Sequence, residues 1–436
     1  MKKLSQSLSA AWNALLVWFM RKLIRVWFSQ WRQKRLVPAM RSRLFKAVFR
    51  GARDARPNYA QVLFQRVMGT VLRSPRMLLG LFHHSLRVCI TYRCNLSCKA
   101  CYARGLQQAV GREDMSVEDF DKLTDHALSL GWKKVRFLGG EPTIHPRFPE
   151  MLEICYRKGI DISMPSNNLF PAEVGEKLDP VHVRDFAINY SAYLGGTESQ
   201  KRRFRANLDR LRERGVLFSF SYILKADGKD EGLEELYRDL EEYMPLYIRV
   251  SLELPAFADG KFKFELDETG RTIFRRVHDM LAHCTRIYMP FYIYRPMPIC
   301  LFTGEQERQL SHYSRYVFYT RCPLTYSARY GYSMLVTVNP DLSLFPCASV
   351  FIKGPNILGI KDRSEIHEFY ADKLKPIFSK PLADACVQCS HHAKFMAAVN
   401  RKDLLAPAMF NDREMCQAGC ISLRCHEGPD GGCHSE

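Results

Sequence analysis

Apolar and polar positions follow two periods along the middle of the chain. Short apolar runs at Leu86–Tyr92, Lys134–Leu138, Asp161–Pro165, Phe186–Ser191, Leu217–Leu224 and Tyr247–Leu254 have the length of buried strands. Between them, Val117–Leu130, Arg147–Lys158, Pro171–Leu178, Glu198–Arg214 and Gly232–Tyr243 carry apolar residues at three- and four-residue steps and predict helices. Six strands alternating with helices predict an α/β fold with a parallel sheet and covering helices, in the form of a partial (β/α)6 TIM-type barrel. In that architecture chemistry sits at the C-terminal ends of the strands.

The pattern changes on either side. Near the start, Trp12, Leu15, Leu16, Phe19, Met20, Leu23, Trp27 and Trp31 recur at helical spacing, with Arg21, Arg25, Ser29 and Arg32 on the other face. The uninterrupted apolar run from Ala14 to Met20 is far shorter than the about 20 residues a membrane span needs, and no small-residue cleavage site follows it. From about Tyr294 the alternation is lost, and short strand candidates at Ser333–Val338 and Ser343–Phe345 mix with loops. Three parts are expected: a helical segment over 1–84, a barrel over 85–293 and a loop-rich region over 294–436.

Charge sharpens this division. The formal net charge is +18, yet residues 1–85 hold seventeen Lys/Arg and a single acid, Asp54, so the body of the chain is nearly neutral. Four of the five tryptophans lie in the first 31 residues, a combination that suits the lipid headgroup boundary; packing of that Trp face on the barrel is the competing reading. The fifteen cysteines are odd in number and unevenly spaced, unlike a secreted disulfide scaffold. Several stand at metal-ligand spacings, which predicts a reducing, cytoplasmic setting, peripheral at the inner face of the membrane where the first segment makes contact.

One cysteine group is placed for chemistry. The sequence Ile90-Thr-Tyr-Arg-Cys94-Asn-Leu-Ser-Cys98-Lys-Ala-Cys101-Tyr102 follows the first strand directly. Three thiolates on one short loop suit three irons of a cubane and leave the fourth iron open. A structural zinc site or buried free thiols are the alternatives for this spacing. Gly139-Gly140-Glu141-Pro142 follows the second strand, and Ser166-Asn167-Asn168 ends the third. The glycines are expected to permit close backbone approach, here to a ligand. Cys89, Cys155 and Cys284 fall within strand or helix patterns and read as core thiols.

Cys-x3-Cys-x2-Cys followed by an aromatic, with GGEP after the second strand, resembles the radical S-adenosylmethionine (SAM) superfamily over about residues 85–290. The resemblance implies an enzyme whose [4Fe–4S] cluster is held by Cys94, Cys98 and Cys101. It implies SAM as the ligand of Tyr102, Gly139, Gly140, Glu141, Ser166 and Asn167, with Ser191 a weaker candidate. The reaction implied is reductive cleavage of SAM to a 5′-deoxyadenosyl radical that takes a hydrogen atom from substrate, fed by an external one-electron donor of flavodoxin or ferredoxin type.

The last third resembles the SPASM domain, which binds auxiliary [4Fe–4S] clusters. Residues 333–347 (SMLVTVNPDLSLFPC) look like its hairpin, Cys386-x2-Cys389 and Cys416-x3-Cys420 like its central motif, and Cys433 or Cys425 like its closing ligand. One or two auxiliary clusters are implied, one using Cys347, Cys420 and Cys322 with Cys300 as a further candidate, the other Cys386, Cys389, Cys416 and Cys433. The match departs from the family at Leu342, where the hairpin usually has Gly, and in the long gap between Cys389 and Cys416. A single structural zinc with free thiols is the alternative.

The basic, Trp-rich start favours a lipid or other membrane-associated substrate. The alternative is a maturase acting on a ribosomally made peptide. Nucleic-acid modification is disfavoured, because the basic segment sets tryptophans among aliphatics and contains no RNA-binding module. An iron–sulfur electron carrier is the non-enzymatic reading, disfavoured by the intact Glu141. The substrate, the bond changed and the oligomeric state are not written in the sequence.

Overall fold

In a computed structural model, the described residues are 85–98, 101, 110–180, 182–224, 232–252, 266–287, 289, 291–293, 305–306, 309, 317–319, 336–346 and 352–379. The basic segment 1–84 lies outside them. So do Tyr102, Cys300, Cys322, Cys347, Cys386, Cys389, Cys416, Cys420, Cys425 and Cys433.

The strands form one sheet. β1 (Ser85–Thr91), β2 (Lys134–Gly139), β3 (Asp161–Ser166), β4 (Val183–Asn189), β5 (Phe218–Leu224), β6 (Ile248–Leu252), β7 (Phe291–Ile293) and β8 (Val317–Tyr319) pair in parallel in chain order. An antiparallel hairpin, β9 (Thr337–Val338) and β10 (Leu344–Phe345), extends the sheet by pairing β9 in parallel with β1. Among the described residues β8 and β10 are the two edges, so the barrel is partial.

Helices cover the sheet: α1 (Val117–Ser129), α2 (Phe148–Lys158), α3 (Ala172–Lys177), α4 (Tyr190–Leu194), α5 (Glu198–Arg214), α6 (Leu233–Tyr243), α7 (Leu266–Arg286) and α8 (Arg363–Ser379). Their ends are written locally. Ser116 caps α1 by accepting from the Asp119 N–H at 3.1 Å, and Thr197 with Gln200 closes a capping box on α5. Gly159 and Gly215 end α2 and α5 in the left-handed region, at φ 66° and 73°. The core lies between helices and sheet, where Phe137 of β2 stacks on Phe120 of α1 and meets Phe148 of α2 edge-on. Each such fully buried ring contributes about 1.5–3 kcal/mol.

The six predicted strands and five predicted helices are all present. Three corrections apply. The parallel run does not stop at six strands, since β7, just before Tyr294, and β8, beyond it, continue it; at three residues each they are too short to carry a period. α7 fills a stretch with no predicted helix, although its buried Ile273, Val277, Met280, Leu281 and Cys284 do follow the helical period. β4 begins at Val183, ahead of Phe186, and gives way to α4 before Ser191.

Candidate active site

The loop that carries the three cysteines leaves β1 at Thr91, and the chain comes back beside it over 113–115. The Tyr92 N–H donates to the Glu113 carbonyl at 2.9 Å and the Met115 N–H to the Ile90 carbonyl at 2.8 Å. The Thr91 hydroxyl donates to Asp114 Oδ1 at 2.6 Å and accepts from the Arg93 N–H at 3.0 Å. The Arg93 guanidinium pairs with Asp114 at 2.7 Å and Glu113 at 3.0 Å, so this cation is committed to the base of the loop.

β2 ends against the same loop. The Gly140 N–H donates to the Thr91 carbonyl at 2.9 Å and the Glu141 N–H to the Arg93 carbonyl at 2.7 Å. A Cβ on Gly139 would lie 2.0 Å from the Thr91 carbonyl oxygen, and one on Gly140 2.1 Å from that of Arg93. Gly139 also has a φ of 148°. The close approach that these glycines permit within the protein is therefore of β2 to the cysteine loop.

Glu141 is 1 % exposed and ties together three strand ends. Its Oε1 accepts from the Thr143 hydroxyl and N–H and from the Ser166 hydroxyl at 2.9 Å; its Oε2 accepts from the Asn167 N–H at 2.7 Å. Burial pushes this carboxyl above its ordinary range, opposed by the hydrogen bonds from Thr143, Asn167 and Ser166. All of these donors are neutral, and no ion pair to Glu141 occurs among the described residues. Ser166 also accepts from the Asn168 N–H at 2.9 Å, and Asn168 holds a left-handed φ of 62°. The Asn167 amide donates to Asn95 Oδ1 at 2.6 Å, and its Oδ1 accepts from the Leu169 N–H at 2.9 Å.

The structure thus brings Gly139, Gly140, Glu141, Ser166 and Asn167 against the cysteine loop. Ser191 is placed elsewhere: its hydroxyl accepts from the Ile223 N–H at 3.0 Å, tying α4 to β5. The sequence reading overlooked Asn95 and Thr143, although Asn95 lies inside the cysteine motif and Thr143 directly follows Pro142.

The cysteines divide by accessibility. Cys94 and Cys98 are exposed and Cys101 is half-buried, whereas Cys89, Cys155 and Cys284 are core thiols as expected. Among the described residues no three His, Cys, Asp or Glu converge closely enough to hold a single metal ion. A cubane asks for looser convergence than a single ion does, because each thiolate takes a different iron of one cluster. Cys94 is exposed as a residue, yet its sulfur is partly desolvated by the loop. That desolvation pushes the thiol up to about 11; the Leu96 N–H opposes it, while the charges of Glu141, Cys101 and Cys98 add to it. Among the described residues the accessible thiols are those of the motif, which fits a cluster.

A family model described as the radical SAM superfamily matches residues 88–240. Residues 88–240 are a radical SAM domain. The domain is that of an enzyme, and its family implies SAM and a [4Fe–4S] cluster as cofactors. Among curated proteins, the GTP 3′,8-cyclase of Desulforamulus reducens is 35% identical over 96 residues, covering 21% of this chain and 30% of that protein. A probable GTP 3′,8-cyclase of Methanothermobacter marburgensis is 40% identical over 84 residues, covering 19% of this chain and 27% of that protein. The chain thus spans about a third of the length of these relatives. Among solved structures, Streptococcus suis SuiB bound to S-adenosylmethionine aligns at a TM-score of 0.48 and 15% identity, covering 76% of this chain and 78% of that one. Methylornithine synthase (PylB) aligns at a TM-score of 0.33 and 16% identity, covering 61% of this chain and 82% of that one.

Proposed function

We propose that Cys94, Cys98 and Cys101 hold the [4Fe–4S] cluster of the radical SAM domain, and that Glu141 and the Ser166–Asn167 turn receive SAM beside it. The observation that carries this reading is the buried Glu141, joined to neutral donors alone and held against a loop of accessible thiols. When bound, the cluster and SAM supply reductive cleavage of the S–C5′ bond and the radical that abstracts hydrogen from substrate.

The protein's part is placement. Glu141 Oε2 takes one donor, which leaves acceptor capacity for the ammonium of SAM. The buried Ser166–Asn167 turn is fixed through Glu141 and Asn95 before any ligand arrives, which suits ribose contacts and lowers the ordering cost of binding. Tyr102 is assigned to the adenine by resemblance, and Ser191 is kept as a weaker contact. The test is anaerobic reconstitution, reduction and addition of SAM. 5′-Deoxyadenosine is expected from the wild type and not from Cys98→Ala; equal yields from both would end this assignment.

For the substrate, we propose a lipid or membrane-associated molecule, supported by the basic, four-Trp amphipathic start of the sequence. The contact proposed is peripheral, through residues 1–35, whose longest uninterrupted apolar run, Ala14 to Met20, is too short to span a bilayer. Flotation with anionic vesicles should be lost on deleting residues 1–35, and unchanged flotation would remove the idea. The second reading, a peptide maturase with a SPASM-like C-terminal region, draws on the hairpin β9–β10, whose Leu342 takes a φ of 65° where that family usually has Gly. It carries with it one or two auxiliary clusters and a flavodoxin- or ferredoxin-type electron donor. Iron and sulfide near three clusters per chain would support that reading, and one cluster would count against it.

A further inference from the structure

We propose that the hairpin β9–β10 is a positioning element for the cysteine loop, acting through a buried hydrogen bond between Tyr92 and Asn339 and through Phe345. The proposal rests on reading that loop as the cluster loop.

Tyr92 lies two residues before Cys94. Its hydroxyl donates to Asn339 Oδ1 at 2.6 Å, across 247 residues of sequence. Asn339 is fully buried and Tyr92 is 5 % exposed, so the bond between them is shielded from water. The hairpin that presents Asn339 is itself braced. The Asn339 N–H donates to the Ser343 carbonyl at 2.9 Å, and Asp341 at the turn accepts from the Ser343 N–H at 3.0 Å and pairs with Lys353 at 2.8 Å. From α8, the buried Tyr370 hydroxyl is shared between the Leu344 carbonyl at 2.9 Å and the Ile352 carbonyl at 3.2 Å.

Phe345 makes the second contact. With Cys89, Tyr92 and Val110 it forms a small apolar cluster, separate from the main core, and Cys101 packs on it. The approach to the first cysteine and the position of the last one therefore lean on the same hairpin. The loop's other ties are backbone hydrogen bonds, the side-chain hydrogen bonds of Asn95 with Asn167 and of Thr91 with Asp114, and the ion pairs of Arg93, whose side chain is 47% exposed. Exposed ion pairs hold geometry weakly; a buried, mutually dependent pair holds it well.

The experiment compares Tyr92→Phe, Asn339→Leu and the double variant in the full chain by three measurements. These are hydrogen exchange of the backbone amides at 92–98, iron per chain after reconstitution, and the SAM-induced change in the electron paramagnetic resonance of the reduced protein. Each single change is expected to speed loop exchange about tenfold and to raise the SAM needed for the spectral change about tenfold, with iron content unchanged. The double variant should lose little more than either single one, because the two groups act through one bond. Tyr247→Phe is the control, since its hydroxyl donates to Asp185 at 2.8 Å next to β6; it should lower stability and leave loop exchange alone. Unchanged loop exchange in both single variants, multiplied effects in the double, or an equal acceleration in the control would each overturn the proposal. Faster loop exchange without any SAM-dependent signal, in wild type or variants, would uphold the positioning role and remove the radical SAM assignment instead.

Discussion

Two carboxylates in this domain are equally buried, Glu141 and Asp239, each 1 % exposed, and they are satisfied in opposite ways. Asp239, on α6, accepts from the Tyr190 hydroxyl at 2.7 Å and pairs with Arg205 of α5 at 3.0 Å. Burial works to lower the Arg205 pKa, but the Asp239 charge and the hydrogen bonds to Tyr193, Asp239 and Glu235 outweigh it and hold the guanidinium above its ordinary range. Glu141 has neutral donors only. A buried charge paired inside the protein is structural and complete. A buried carboxylate surrounded by neutral donors at a strand end retains an attraction for a cation that the protein does not itself supply. That difference is the physical reason for assigning ligand binding to Glu141 and scaffold to Asp239.

The largest expected effect tests whether the Glu141 corner is as rigid as this contrast needs. Gly140→Ala would set a Cβ 2.1 Å from the Arg93 carbonyl oxygen and 2.6 Å from that of Tyr92, both backbone atoms that cannot step aside. A loss of about 3 kcal/mol or more, or failure to fold, is expected in urea titration. Gly159→Ala, with φ +66° and nothing within 4 Å of the added carbon, should cost only about 1 kcal/mol. Similar losses at the two sites would mean that β2 is not pressed on the loop.

Asp239→Ala comes next. It leaves Arg205 and Tyr190 without a principal partner and should cost about 3 kcal/mol, while SAM affinity of the reconstituted protein stays within about twofold of wild type. Glu141→Gln reverses the pattern. The amide keeps an acceptor for Thr143 and Ser166 but turns an N–H₂ toward the Asn167 N–H, so about 1 kcal/mol of stability is lost. SAM binding should weaken by about tenfold or more, since a hydrogen bond to a charged group contributes about 1.5–3 kcal/mol. Equal behaviour of the two variants in equilibrium dialysis with SAM would dissolve the contrast.

The site was legible in the sequence wherever its residues are contiguous. Cys94, Cys98 and Cys101, the Gly139–Gly140–Glu141 strand end and Ser166–Asn167 were found because each lies where a strand period stops. What the glycines approach was not legible, because the Thr91 and Arg93 carbonyls belong to another strand and leave no compositional trace. Ser191 was legible only in part. Strand-end position suggested a weaker ligand contact; what it did not show is that α4 begins at Tyr190 and that the hydroxyl accepts from the Ile223 N–H. β9 and β10 are two residues each, so their place beside β1 could not be read from periodicity. Leu342 had stood out only as a missing glycine; its φ of 65° gives that departure a conformational meaning.

The smallest expected effect concerns His145, which sits four residues past Glu141 and locks that turn to the cysteine loop's return segment. Its Nε2 meets the Met115 carbonyl at 3.0 Å and its Nδ1 meets the Arg147 N–H at 3.1 Å. The neutral ring with its proton on Nε2 satisfies both; a second proton on Nδ1 would face an N–H and break the contact. Burial lowers this imidazole's pKa below its ordinary value, with the Met115 hydrogen bond opposing. The unfolded chain therefore takes up the proton first as pH falls. Stability from this group is fully present above the ordinary histidine pKa and is lost on acidification toward the lowered folded value, below which it changes no further. His145→Gln can donate to Met115 and accept from Arg147 without titrating, so its melting temperature should fall less than that of wild type between pH 7 and pH 5, by a degree or a few (about 1 kcal/mol or less). Since Asp239 lies in the helix layer and shares none of these contacts, Asp239→Asn should keep the wild-type slope. If it flattened the slope as His145→Gln does, the two carboxylates would belong to one coupled network, and the division between ligand site and scaffold would have to be redrawn.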